Sequence, residues 1–308
     1  MLTVPLVIKQ ARYSTTPIPV NASSVLLHLH LPKTGGQTLQ QLIYTNHAVR
    51  EPTQADSRFL HNGIYYYPRG IEEDAYPPDM WTADPVQPPA ATVEIIRHPN
   101  VRVVSGHFSF GLHRYFDRSA RYITVLRDPI NRVVSLYYFT RRRDHYRRVV
   151  ARTDIRSTLH QLVKEISEGT LEQFVTTLKY KQVDNGQTRR LSGIEPPFGQ
   201  CTQTMLEAAK RHLQEMFDAV GTLERFDQTV RVFAHRLGWN SSSLVTSAKI
   251  RKNVNLSRPK LEELPERILR LIRSYNEFDI ELYRHANSLL DEAAAKLDRN
   301  LPNKSSAF

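Results

Sequence analysis

Cysteine is nearly absent: Cys201 is the only one in 308 residues. A single thiol excludes an internal disulfide. No close-spaced set of Cys and His suggests a zinc site, so a protein without metal from a reducing compartment is the simplest expectation. Long apolar runs are also lacking. No stretch approaches the about 18 consecutive apolar residues of a membrane-spanning helix. The opening residues, Met1 to Val20, show no basic segment followed by an apolar run of signal length. These absences predict a soluble, cytoplasmic protein that is not integral to a membrane. Acidic residues are in deficit, 31 Asp and Glu against 42 Lys and Arg, for a formal net charge of +11. That excess implies an anionic partner: nucleic acid, a membrane surface, a polyanionic sugar or a phosphorylated cofactor. No helix-turn-helix, zinc or RNA-stacking motif appears, so nucleic acid is not the expected partner.

What is present suits one large α/β domain over residues 1–308, with 40% hydrophobic residues to build its core. Ser24 to Leu31 is a nearly continuous apolar run of strand length. A turn, Pro32 to Gly36, and a helix-like stretch, Gln37 to Thr45, follow it. Residues 51–100 are rich in Pro, Tyr and Asp and read as an insertion or lid with little regular structure. Short strands are expected at Val101–Val104, Arg121–Leu126 and Phe217–Thr222. Asp128 can cap a helix and Pro129 suits its first position, which predicts a helix from about Ile130 to Arg143. Further helices are expected around 154–168, 170–179, 204–216, 224–237, 260–274 and 276–296, with a basic loop at Ser247–Pro259 and a disordered tail at 300–308. The alternation predicts a P-loop-like three-layer α/β/α domain: a central, mostly parallel sheet and a helical C-terminal third.

Four places carry candidate chemistry. Lys33, Thr34, Gly35, Gly36, Gln37 and Thr38 sit where a strand passes into a helix. Glycines there let the backbone approach an anion, and the helix N-terminus offers unpaired N–H groups. The alternative is an ordinary strand-to-helix turn with an exposed lysine. Arg127 ends a strand, where ligands bind in open parallel sheets, and a guanidinium can grip a phosphate with two parallel bonds. Ser135 lies two turns into the next helix and can reach the same anion. The alternative pairs Arg127 with Asp128. His107 follows a strand and a glycine, and its type suits proton transfer near neutral pH; alone, a histidine there is more often structural. Last, Lys252, Asn253, Ser257 and Arg258 form a basic, Asn-rich loop. Arg189 and Arg190 follow Asp184-Asn185-Gly186-Gln187-Thr188 and either contact an acidic acceptor or are solvated. His28 and His30 alternate on the first strand and read as packed residues.

Together, Pro32-Lys33-Thr34-Gly35-Gly36 and, about ninety residues later, Leu126-Arg127-Asp128-Pro129-x-x-Arg132-x-x-Ser135 resemble the sulfotransferases that use 3′-phosphoadenosine-5′-phosphosulfate (PAPS). The stretch from Ser105-Gly106-His107 through Tyr122 to Phe139 looks most like the heparan sulfate 2-O-sulfotransferase branch and its bacterial relatives. The resemblance implies that residues 33–38 hold the 5′-phosphosulfate and that Arg127 and Ser135 hold the 3′-phosphate. It also implies that the 252–258 loop folds over the cofactor. In that branch a His-Gly-His segment carries the base; Ser105 replaces its first histidine here, which leaves His107. The implied reaction moves a sulfuryl group from PAPS to a hydroxyl acceptor, releases PAP and requires no metal. Family and basic charge together suggest a carbohydrate, an acidic glycan among them. Two rivals use the same anion-binding physics: a nucleotide-dependent kinase, opposed by the lack of an evident Asp pair for magnesium, and a basic nucleic-acid-binding protein.

Overall fold

The computed structural model describes residues 23–47, 60–61, 63–66, 88, 90–141, 164–165, 168–177, 179–239 and 260–300. Its centre is a six-stranded sheet. In chain order the strands are β1 (Ser24–Leu29), β2 (Leu60–His61), β3 (Ile64–Tyr66), β4 (Val103–Gly106), β5 (Ser119–Leu126) and β6 (Phe217–Thr222). Across the sheet they run β2-β3-β4-β1-β5-β6. Every pairing is parallel except β2 with β3.

The sequence of β1, Ser-Val-Leu-Leu-His-Leu, is buried at all six positions. A strand can be apolar on both faces only where both faces are covered, and the side-chain alternation divides them. Val25, Leu27 and Leu29 pack with Tyr122 and Leu126 of β5 against two helices, α6 (Gln203–Glu215) and α9 (Glu277–Asn300). Leu206, Ala209, Leu282 and Ala286 are their contributions to that face. Leu26, Ile123 and Val125 turn the other way, onto α1 (Gly36–His47) and α7 (Phe226–Leu237), through Leu39, Leu42, Val230 and Phe233. The result is a three-layer α/β/α arrangement, as the alternation predicts.

A third apolar cluster stands beside the sandwich. It joins α3 (Pro129–Thr140), α4 (Leu171–Thr176) and α8 (Glu266–Ser274) through Val133, Val134, Phe174, Val175, Ile268 and Ile272. The start of α3 is as the sequence predicts. Asp128 Oδ1 accepts from the Asn131 backbone N–H at 2.8 Å, and Pro129 occupies the first turn.

One expectation needs correction. Within the span read as an irregular insertion, β3 is an integral strand of the sheet, and α2 (Ala90–Arg97) buries Ile96 in the core. Three strand residues are too few to show a period, which hid β3 in the sequence. The 252–258 loop, most of the 154–168 helix and the tail after residue 300 lie outside the described residues.

The topology selects one edge of the sheet. From β1 the chain crosses towards β3, and from β5 it crosses the opposite way to β6. The carboxyl ends of β1 and β5 therefore flank a crevice of the kind in which open α/β sheets bind ligands.

Candidate functional site

The loop after β1 is shaped by backbone conformation. Lys33 has φ 70° and Gly35 φ 81°. The left-handed region is uncommon for a lysine and suggests a functional turn. Gly36 is required for a different reason: a Cβ there would lie 1.7 Å from His30 Nε2, so the imidazole lies directly on the glycine. The Thr34 hydroxyl donates to the Leu31 carbonyl at 2.8 Å and is buried. It fastens the turn, which leaves the backbone N–H as the group Thr34 can offer an anion. Gln37 and Thr38 lie in the first turn of α1, and the Thr38 N–H donates to the Gly35 carbonyl at 3.1 Å.

Arg127 crosses the crevice to meet this loop. Its Nη1 donates to the Lys33 carbonyl at 2.9 Å, although the two residues are 94 positions apart. The Lys33 ammonium sits 3.9 Å from the centroid of the Phe139 ring on α3. Ser135 precedes Phe139 by one helical turn and so shares that face of α3. Lys33 and Arg127 thus meet at the loop after β1, and Ser135 lies on the helix whose Phe139 the Lys33 ammonium touches.

His107 completes the same edge. It follows β4 directly and is half-buried, and its ring stacks on His30 with centroids 4.3 Å apart. Its Nδ1 lies 2.6 Å from the His30 carbonyl oxygen. A carbonyl only accepts, so Nδ1 is the donor in that bond. His28 differs: it is fully buried, its Nδ1 is 2.8 Å from Ser105 Oγ, and burial lowers its pKa to about 3. His28 is a packed strand residue, as expected.

Residues 17–286 match the sulfotransferase family. The chain belongs to that family. No curated protein was found similar to it. The match spans both the 32–38 and the 126–135 motifs and the helical region after them.

In this sulfotransferase two expected substrate contacts are corrected. Arg189 and Arg190 belong to a helix, α5 (Gly186–Ser192), whose seven residues are all buried. Arg189 donates to the Asp184 carbonyl (2.7 Å) and the Pro197 carbonyl (3.1 Å) and pairs with the Asp184 carboxylate. Arg190 faces Ser109 Oγ at 3.3 Å and Glu195 at 3.9 Å. Neither is solvated, and Arg189 has no exposed surface to offer an acceptor.

The same segment contributes elsewhere. The buried Gln187 side chain pairs with both backbone groups of Arg127, accepting its N–H (3.0 Å) and donating to its carbonyl (2.9 Å). Its own N–H, with that of Thr188, is held by the buried Asp279 carboxylate at 3.0 and 2.7 Å. Arg132 closes the network 3.5 Å from Asp279, buried completely. Sequence reasoning passed over Gln187, Phe139 and Glu224. For Glu224 a signal was present, because it lies two residues beyond a strand that ends at the ligand-binding edge.

Proposed function

We propose that this sulfotransferase takes its sulfuryl group from PAPS and gives it to a hydroxyl of a carbohydrate, with His107 as the general base. The observation that carries this reading is the meeting of three groups at one edge: the Lys33 loop, Arg127 bonded to it, and an imidazole whose Nδ1 is occupied by the His30 carbonyl. The donor set fits a nucleotide with phosphates at both ends, since it combines a helix N-terminus, a lysine, an arginine and a serine hydroxyl. Arg127 and Ser135 are assigned the 3′-phosphate, and residues 33–38 the 5′ end. Lys252, Asn253, Ser257 and Arg258 are proposed as a further cover. The resemblance of the Ser105–Phe139 segment to the heparan sulfate 2-O branch, with the net charge of +11, supports an acidic glycan as acceptor.

PAPS supplies the sulfuryl group, and the departing phosphate oxygen keeps the electron pair of the broken S–O bond. The protein residues do the rest. His107 Nε2 takes the acceptor proton as the new O–S bond forms. Lys33 and the N–H groups at the start of α1 stabilise the charge that develops on the leaving oxygen. The Arg127 bond to the Lys33 carbonyl fixes the distance between the two phosphate sites, so part of the rate comes from positioning.

The test uses labelled PAPS with a panel of sugar and non-sugar hydroxyl acceptors. His107→Ala should lower turnover by about 10²–10⁴-fold while PAP binding and the melting temperature stay near those of the parent. A loss of activity that tracks a loss of melting temperature would show His107 to be structural. PAP should raise the melting temperature well above the effect of AMP, and equal effects would refute the assignment of the 3′-phosphate.

A further inference from the structure

The exits of three strands, β1, β5 and β6, converge at this edge, and the segment after β6 has no role in the reading above. Leu223 closes beneath the loop: a Cβ on Gly35 would fall 2.6 Å from Leu223 Cδ1. Glu224 lies beside the arginine, its Oε1 3.8 Å from Arg127 Nε. Other groups hold this carboxylate in place. The Asp128 N–H lies 3.3 Å from both oxygens, and the Tyr283 hydroxyl donates to Oε2 at 2.9 Å. The Tyr283 pKa is pushed up to about 12, first by burial, so the phenol remains a donor across the physiological range.

A carboxylate anchored by Asp128 and Tyr283 stays put whatever Arg127 binds. It is therefore a fixed negative charge next to the one guanidinium assigned to the donor's 3′-phosphate. That phosphate is present before and after sulfuryl transfer, so whatever strengthens its grip also retains the product. We propose that Glu224 is a specificity-determining residue that weakens the hold of Arg127 on the 3′-phosphate and thereby lets the 3′-phosphorylated product leave. This rests on the assignment of Arg127 to the 3′-phosphate.

Glu224→Gln removes the charge and keeps an oxygen for the Asp128 N–H and the Tyr283 hydroxyl. By calorimetric titration it should bind PAP about tenfold more tightly at low salt, with a smaller gain as ionic strength rises. AMP, which has no 3′-phosphate, should bind as it does to the parent. Glu224→Ala, which removes the charge by truncation, should act in the same direction and guards against a peculiarity of the amide. In an Arg127→Ala background the Glu224→Gln gain should vanish, since the coupling runs through that guanidinium. PAP binding that is unchanged or weaker in Glu224→Gln overturns the proposal. An equal gain for AMP overturns it too, because the charge would then act on the whole nucleotide. A parent protein that binds PAP no better than AMP removes the donor-site reading itself, and this proposal with it.

Discussion

Two arginines, Arg121 in β5 and Arg127 just after it, face two carboxylates of the β6 segment, six residues apart along both. At the amino end Arg121 Nε donates to Asp218 Oδ2 in a direct charge-assisted bond, with side chains only 8% and 12% exposed. At the carboxyl end Arg127 and Glu224 stand 3.8 Å apart, with side chains 15% and 34% exposed. The residue chemistry is the same, and the surroundings separate the roles. The amino-end pair is closed off by its neighbours; Arg236, for example, donates to the Asp218 carbonyl at 3.1 Å. The carboxyl-end pair opens onto a crevice made by diverging chain crossings. A buried ion pair holds a fold in register, whereas the more exposed Arg127 stands at the switch point of the sheet, where the proposed donor site lies.

Deleting each arginine in turn tests this difference most severely. Arg121→Ala leaves Asp218 buried without its charge partner and should lower stability by about 3 kcal/mol or more. Denaturant unfolding checks this, and a loss below about 1 kcal/mol would place the pair with ordinary surface ion pairs. Arg127→Ala should do the reverse. Its pairing with Glu224 is partly solvated, so stability should change by about 1 kcal/mol or less. PAP affinity should fall by about 1.5–3 kcal/mol, the worth of a charge-assisted contact, with little effect on AMP. If both variants unfold equally, the two ends of the strand pair do not differ in function.

This contrast also explains what the sequence could reveal. Strand–loop–helix units were legible where the signal is local. The apolar run before Lys33 marks β1, and Asp128-Pro129 marks the start of α3. The strand at Phe217–Thr222 has the bounds expected, and the long C-terminal helix begins at Glu277, within a residue of expectation. Partners across the sheet were not legible. Gln187 meets Arg127 over 60 positions and Tyr283 meets Glu224 over 59, and no local period encodes such distances. Arg189 illustrates the opposite error. In sequence it is one cation in a polar stretch, but Asn185, at φ 49°, turns the chain so that α5 is buried under α9. Asn185 Oδ1 accepts from the Phe278 and Asp279 N–H groups at 3.0 and 3.1 Å, while Asp279 accepts from the first turn of α5. Each helix start is capped by the other's segment, a reciprocity that only the fold reveals.

The amino-end cluster also carries a pH-dependent part. Beside Arg121, His47 accepts a hydrogen bond on Nε2 from Trp239 Nε1 at 2.7 Å. Its pKa is lowered from 6.5 to about 4, first by burial and then by the charge of Arg121. A depressed folded pKa means that the stability contributed by neutral His47 is present above pH 6.5 and lost as pH falls through about 4. Protonated Nε2 cannot accept, so the indole N–H loses its partner as pH falls through about 4. The loss should be visible as a change in Trp239 emission ahead of global unfolding. A Trp81→Phe background leaves Trp239 as the sole indole, since the sequence has two tryptophans. Asp218 acts with the opposite sign. Burial raises its pKa despite Arg121, so its contribution is present below the usual carboxylate value and lost as pH rises through the folded one. The two slopes are separated by His47→Gln, whose amide oxygen can accept from Trp239 without titrating. In that variant the emission change near pH 4 should disappear. A change that persists would assign the acid sensitivity to another group and leave the amino-end cluster without a pH-dependent part.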